Sequence, residues 1–215
     1  FGTTKSVVIK PTQTLAANVF ADDDGTMTTE IAGEDIVIPV LVQDKFGNNQ
    51  TYELYELDAM QINIVETFAS FPVGFDPTGT QFGAQVDLTV AGIYTVEFYF
   101  GATLVSTSKL QVTADEVSVP NSVVYGDDLS SAQAGVAATF FIELADEFGN
   151  LVSDAVTAQD FVNDATATMV KVGDATKTVD VTLETSVRAS SVIVKATYTI
   201  TETGDYYLSI AVTDE

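Results

Sequence analysis

Residues 32–48 read AGEDIVIPVLVQDKFGN, and residues 134–150 read AGVAATFFIELADEFGN. The stretches lie 102 residues apart and coincide at Ala, Gly, Asp, Phe, Gly and Asn. Each places a run of β-branched and aromatic residues between turn signals, as a strand ending in a turn requires. In Asp-x-Phe-Gly-Asn the strand ends at Asp, and Gly-Asn supplies the positive φ of the turn. The Phe is expected to tuck under that turn and close the end of the core.

Two further echoes extend the repeat. Ala91-Gly92-Ile93-Tyr94 is matched by Thr203-Gly204-Asp205-Tyr206 at an offset of 112, and Asp23-Asp24 by Asp127-Asp128 at an offset of 104. One fold written twice, with drifting loop lengths, explains all three offsets. Strand signals dominate between the landmarks. Tyr94 to Phe100 and Val192 to Ile200 are β-rich and alternate, with alternate residues such as Tyr94 and Val96 pointing inward. Helical period is confined to residues 50–60 and 154–161. The expected fold is all-β: two tandem sandwiches, residues 12–113 and 114–215, preceded by a segment 1–11. The length of 215 residues accommodates two units of about 100 each.

The order of landmarks resembles the filamin-type immunoglobulin-like repeat. That family shows a strand followed by Asp-x-x-Gly-Asn, then Gly-x-Tyr-x-x-x-Tyr/Phe, a short hairpin and a last strand bearing Ser-Pro-Phe. Asp44–Asn48, Gly92–Phe98, Gly101–Thr103 and Ser106–Val112 follow that order, as do Asp146–Asn150, Ala196–Tyr198 and Gly204–Leu208. The resemblance implies tandem immunoglobulin-like sandwiches with structural or binding roles. Ser108-Lys109-Leu110 replaces Ser-Pro-Phe, so it does not imply the family's peptide-binding groove. Surface immunoglobulin-like domains of bacteria and archaea share Asp-x-x-Gly-Asn.

The first copy closes with a hairpin: strand Tyr94–Phe100, turn Gly101–Thr103 and strand Leu104–Val112. The second copy reaches the first strand of that hairpin, Tyr206–Val212, and its last strand is expected to be absent from the copy itself. The opening segment supplies a candidate. Thr213–Glu215 followed by Phe1–Ile9 overlays Gly101–Val112 without a gap, placing Val7 on Leu110 and Ile9 on Val112. The expected interface is therefore Lys5, Val7, Val8 and Ile9 of one copy against Tyr206, Leu208, Ile210 and Val212 of another. The partner is the chain itself, as a head-to-tail homopolymer joined by strand donation. Three other arrangements fit the same residues: a window of a longer repeat array serving as scaffold or binding module, a fold-back within one molecule, and a loose end.

Composition narrows the function. The chain holds 8 Lys+Arg against 31 Asp+Glu, a net charge of −23, so nucleic acid and anionic lipid are repelled. It has no Cys and no His, removing thiolate chemistry, cysteine–zinc sites and the usual general base. No apolar run reaches the roughly 18 residues of a membrane helix. No phosphate-cradling loop or nucleophile elbow is present, so no enzyme is expected. Glu53 and Glu56 read as solvated surface. Acidity and 29 threonines favour an extracellular or cell-surface setting over the cytosol. Asp22-Asp23-Asp24-Gly25 and Asp127-Asp128 are candidate Ca²⁺ loops or solvated acidic loops. Asn49-Gln50-Thr51 is an N-glycosylation sequon. The opening Phe1 fits a processed protein or a piece of a longer one.

Overall fold

The computed structural model describes residues 14–21, 27–50, 59–76, 81–188 and 191–213. The chain divides into two compact units, Phe1–Val112 and Thr113–Glu215. Strands dominate both.

In the first unit, β1 (Thr14–Ala21), β3 (Ile36–Asp44), β7 (Gln81–Val86) and β6 (Gly74–Asp76) form one sheet in the order β1-β3-β7-β6. The facing sheet has the order β2-β9-β8-β4-β5, built from β2 (Thr28–Ile31), β9 (Thr103–Thr113), β8 (Gly92–Phe100), β4 (Met60–Ile64) and β5 (Ala69–Pro72). Alternation decides which side chains enter the core. Ile36, Ile38, Val40 and Val42 of β3 point inward, as do Tyr94, Val96 and Phe98 of β8. They meet Met60, Ile62 and Ile64 of β4, Phe82 of β7, and Leu110 and Val112 of β9 in one core. Burying each of these larger side chains is worth about 1.5–3 kcal/mol.

The second unit has one six-stranded array. Its order is β10 (Val123–Tyr125), β11 (Ala138–Glu143), β14 (Ser191–Tyr198), β13 (Asp174–Arg188), β12 (Ala165–Lys171) and β15 (Tyr206–Val212). The 15-residue β13 serves both sides of the core. Through Val181 it pairs with β12, and from Thr182 onward with β14. The first unit makes the same crossing with two strands, as β5 pairs with β4 and β6 with β7 on either side of the buried Val73.

The 154–161 segment is helical. Helix α1 spans Ala155–Asp164, capped by the Asp154 carboxylate, which accepts the Thr157 N–H at 2.8 Å. It buries Ala158 and Phe161. In the other helical candidate, residues 51–58, with Glu53 and Glu56, lie outside the described residues, and Met60 opens β4.

The repeated turn corrects one expectation. Phe46 and Phe148 do not tuck under it; they are 69% and 42% exposed. The interior place belongs to the aspartates, both fully buried. Asp44 accepts the N–H groups of Phe46 and Asn48 at 2.8 and 3.0 Å, plus the Asn48 amide. Asp146 accepts those of Phe148 and Asn150 at 2.9 and 2.8 Å, plus the Asn150 amide at 2.7 Å. A buried carboxylate requires such donors, and the turn's own backbone provides them. Coiling round the carboxylate faces the intervening Phe outward. Gly47 and Gly149, at φ +80° and +83°, close the coil.

Candidate functional site

The two units share their hydrogen bonds as well as their order. Gly33 N–H donates to the Leu88 carbonyl at 2.9 Å, and Gly135 N–H to that of Ile200 at 2.7 Å. The Tyr94 hydroxyl donates to the Val90 carbonyl at 2.6 Å, and that of Tyr206 to the Glu202 carbonyl at 3.1 Å. These pairs align β8 with β15 residue for residue. Strand β8 pairs with β4 on one edge and β9 on the other, with β2 beyond β9. Strand β15 pairs with β12 from Ala165↔Val212 to Lys171↔Tyr206. Among the described residues no strand lies on its other edge.

Burial differs between the two strands. Tyr94, Val96 and Phe98 are 6%, 2% and 1% exposed. Tyr206, Leu208 and Ile210 pack on the second core but are only half-buried, and Val212 is exposed. The structure thus brings Tyr206, Leu208 and Ile210 together on one face; Lys5, Val7, Val8 and Ile9 lie outside the described residues.

A cavity of about 250 Å³ opens at the start of β15. Its apolar lining is Leu129, Val136, Met169, Tyr198, Ile200 and Tyr206. Leu88, the counterpart of Ile200, is buried in the first unit, as are Ala32 and the β9 residue Val112. Ala134, the counterpart of the fully buried Ala32, is exposed. Sequence reading missed this lining because it comes from four separate segments. The Ala-Gly echo at 32 and 134 held the available signal: one alanine in two settings.

The approach to β15 is pinned by charge. Glu202 is paired with Lys171 and with Lys177, the latter at 2.6 Å. The hydrogen bond from Lys171, then that from Lys177, draws the Glu202 carboxyl down to about 2. Gly204, at φ +150°, passes so close that a Cβ would stand 2.9 Å from the Lys171 side chain.

The other sequence candidates are placed as follows. Asp22–Asp24 lie outside the described residues. Asp127 and Asp128 sit in a 3-10 turn, Asp127–Leu129. The Asp128 carboxylate accepts the Thr139 N–H at 2.7 Å, and its carbonyl accepts the Tyr198 hydroxyl. Among the described residues no three carboxylates gather where an ion could be held. Asn49 is exposed and accepts a hydrogen bond from the Gln43 amide at 2.8 Å. Among the described residues no helix is long and apolar enough to cross a membrane.

No protein-family model and no curated protein matches the chain. Solved structures do. An Escherichia coli adhesin, FdeC, is similar over 95% of this chain at 16% identity with a TM-score of 0.50. The chain spans 61% of that structure's length. The filamin domain of Lin-41 is similar over 46% of this chain and 83% of its own, at 22% identity and a TM-score of 0.32. Domains 4–9 of the surface-layer protein SbsC are similar over 93% of this chain and 30% of theirs, at 19% identity and a TM-score of 0.35. The fold is that of all-β immunoglobulin-like repeats.

Proposed function

We propose that the chain is a structural subunit of an extracellular filament or surface fibre. Residues 1–11 of one copy complete the second unit of the next, joining copies head to tail. The single observation that carries this reading is that, among the described residues, no strand covers the second edge of β15. Its Gly-x-Tyr pattern and backbone bonds repeat those of β8, yet its inward residues stay half-buried where those of β8 are covered. Edges of this kind are templates for a further strand. The gapless overlay of Phe1–Ile9 on Leu104–Val112 names the strand. Charge supports the choice: residues 1–13 carry Lys5 and Lys10 and no acid, in a chain of net charge −23. The fold likeness to an adhesin supports the surface setting. The role requires no catalysis, nucleic acid or membrane insertion.

Electron microscopy and sedimentation of the full chain test the reading. The full chain should form fibres, and a chain lacking residues 1–11 should sediment as single copies. Fibres that persist after the deletion would overturn it. The span of the match within a longer adhesin favours a second reading, a two-repeat segment of a stalk array. Under it the full chain remains a single copy and the deletion changes no mass beyond its own.

A further inference from the structure

In the first unit β9 is an inner strand, with β8 on one edge and β2 on the other. The counterpart of β2, by the 102-residue offset of the Ala-Gly echo, is Ser130–Gln133. That segment is not a strand in the second unit. It borders the cavity at the start of β15: Ser130, Ser131, Ala132 and Gln133 line it together with Gly204, Asp205 and Tyr206. The cavity therefore occupies the place of an inner strand, not the outside of an edge strand.

We infer that the cavity is a slot that closes: the donated strand enters between β15 and Ser130–Gln133, which zips onto its far edge, and Ile9 fills the floor. The inference rests on the strand-donation reading and goes further, assigning a register, an anchor and a moving clamp. Gly92 faces Val112 and Tyr94 faces Leu110 across β8 and β9. Transferred to β15, Ile9 faces Gly204 and Val7 faces Tyr206. Val112 is 2% exposed and packs in the core with Ala32 and Leu88. Ile9 in the same place meets Ala134 and Ile200, both lining the cavity. A volume of about 250 Å³ is ample for a branched side chain and its backbone. The 13 residues before β1 exceed the nine that the register uses, which reach roughly 30 Å when extended. Residues 10–13 are then free to lead into the next copy. Closure buries Ala134 as Ala32 is buried, which explains why a small residue stands at both positions.

The test combines affinity with hydrogen exchange. The chain lacking residues 1–11 is mixed with a synthetic peptide of residues 1–12. The peptide should bind and should slow exchange both along the β15 edge away from β12 and at Ser131–Ala134. A peptide carrying Ile9→Ala should bind at least about thirty-fold more weakly, by loss of a large buried side chain. One carrying Val8→Ala should change affinity less than about threefold, because its counterpart Gln111 is only partly buried. Ala134→Trp provides a check that does not depend on refolding the core. Ala134 is exposed in the open slot, so the variant should fold normally yet bind peptide at least about tenfold more weakly. Protection confined to β15, with affinity indifferent to Ile9 and Ala134, would overturn the slot while leaving strand donation standing. Absence of peptide binding would overturn both.

Discussion

Strands β8 and β15 have the same motif, an antiparallel partner strand on one edge (β4 and β12) and the same tyrosine hydrogen bond, yet one is buried and the other only half-buried. Tyr94, Val96 and Phe98 are at most 6% exposed, while Tyr206, Leu208 and Ile210 are half-buried. The difference lies outside the strands. On β8, the neighbouring β9 adds Leu110 and Val112 to the core; on β15 no such strand is present among the described residues. Alternation chooses which side chains face inward, but burial needs a neighbour on each edge. A repeat that keeps the inward pattern without the neighbour carries an unfilled site. The half-buried apolar face is a standing free-energy gain for whatever strand covers it, the remaining part of the about 1.5–3 kcal/mol that full burial of each large side chain is worth.

The largest effect should come from giving the first unit the defect of the second. Val112→Asp places a charge among Ala32, Leu88 and Tyr94, where nothing pairs with it. The first unit should lose several kcal/mol, and β9 should detach or the unit unfold. A charge on β15, Ile210→Asp at the counterpart of Phe98, falls on a half-buried position and should cost less than half as much in single copies. Urea unfolding of each variant measures both. Equal losses would mean that β15 is as enclosed as β9.

Next in size are the buried turn aspartates, where the two units should agree. Asp44→Ala and Asp146→Ala each strand two backbone N–H groups and an asparagine amide. Each should cost roughly 3 kcal/mol or more. Asp146 also accepts the Asp115 N–H at 3.1 Å, so its loss strands that donor as well. A thermal melt resolves the pair, and a negligible effect at either position would break the equivalence of the turns.

These turns mark how far sequence carries. The repeat and the hairpin of β8 and β9 were legible because period-2 alternation and positive-φ glycines are local properties. The Phe of the turn was misread because hydrophobicity alone ranks Phe above Asp for the interior. That ranking omits the two backbone N–H groups and the asparagine amide that the coiled turn aims at one carboxylate. The inward face of β15 was legible from the echo of Gly92–Phe98. The cavity was not, because Leu129, Val136, Met169 and Ile200 meet only after β13 has crossed from one side of the core to the other. The continuity of that crossing differs between the units, and no turn residue announces it.

Acid should separate two carboxylates of the second unit. Burial pushes the Asp146 carboxyl up, but the Asn150 amide and the N–H groups of Asp115, Asn150 and Phe148 outweigh it and hold it below the usual range. A lowered folded value makes its stabilisation complete above the unfolded value of about 4 and lost as pH falls through the folded one. Stability of the second unit should therefore decline from about pH 4 downward, and the decline should shrink in Asp146→Asn. Glu202 is exposed, and its carboxyl should titrate with a midpoint of about 2 because Lys171 and Lys177 hold the charged form. Carboxyl NMR titration reads it directly; a midpoint in the ordinary glutamate range would mean that the lysine clasp is open in solution.

The smallest effect is also the finest probe of the comparison. Tyr94→Phe and Tyr206→Phe remove the same hydroxyl from the same place in the repeat. Tyr94 is 6% exposed and its hydroxyl donates to the Val90 carbonyl at 2.6 Å. Removing the hydroxyl of this buried ring loses the short bond, and the variant should lose about 1–1.5 kcal/mol. The Tyr206 bond to the Glu202 carbonyl is longer, 3.1 Å, and the ring is half-buried. Water can replace that hydroxyl, so Tyr206→Phe should cost no more than about 0.5 kcal/mol in single copies. Covering β15 should change this. With a strand seated beside Tyr206, the ring takes the burial of Tyr94 and its hydroxyl bond is shielded. The cost of Tyr206→Phe should then rise towards that of Tyr94→Phe, measured as the difference in melting between bound and unbound chain. A cost that stays small in the covered state would mean that the added strand does not reach Tyr206, and that the likeness of β8 and β15 ends short of the tyrosine.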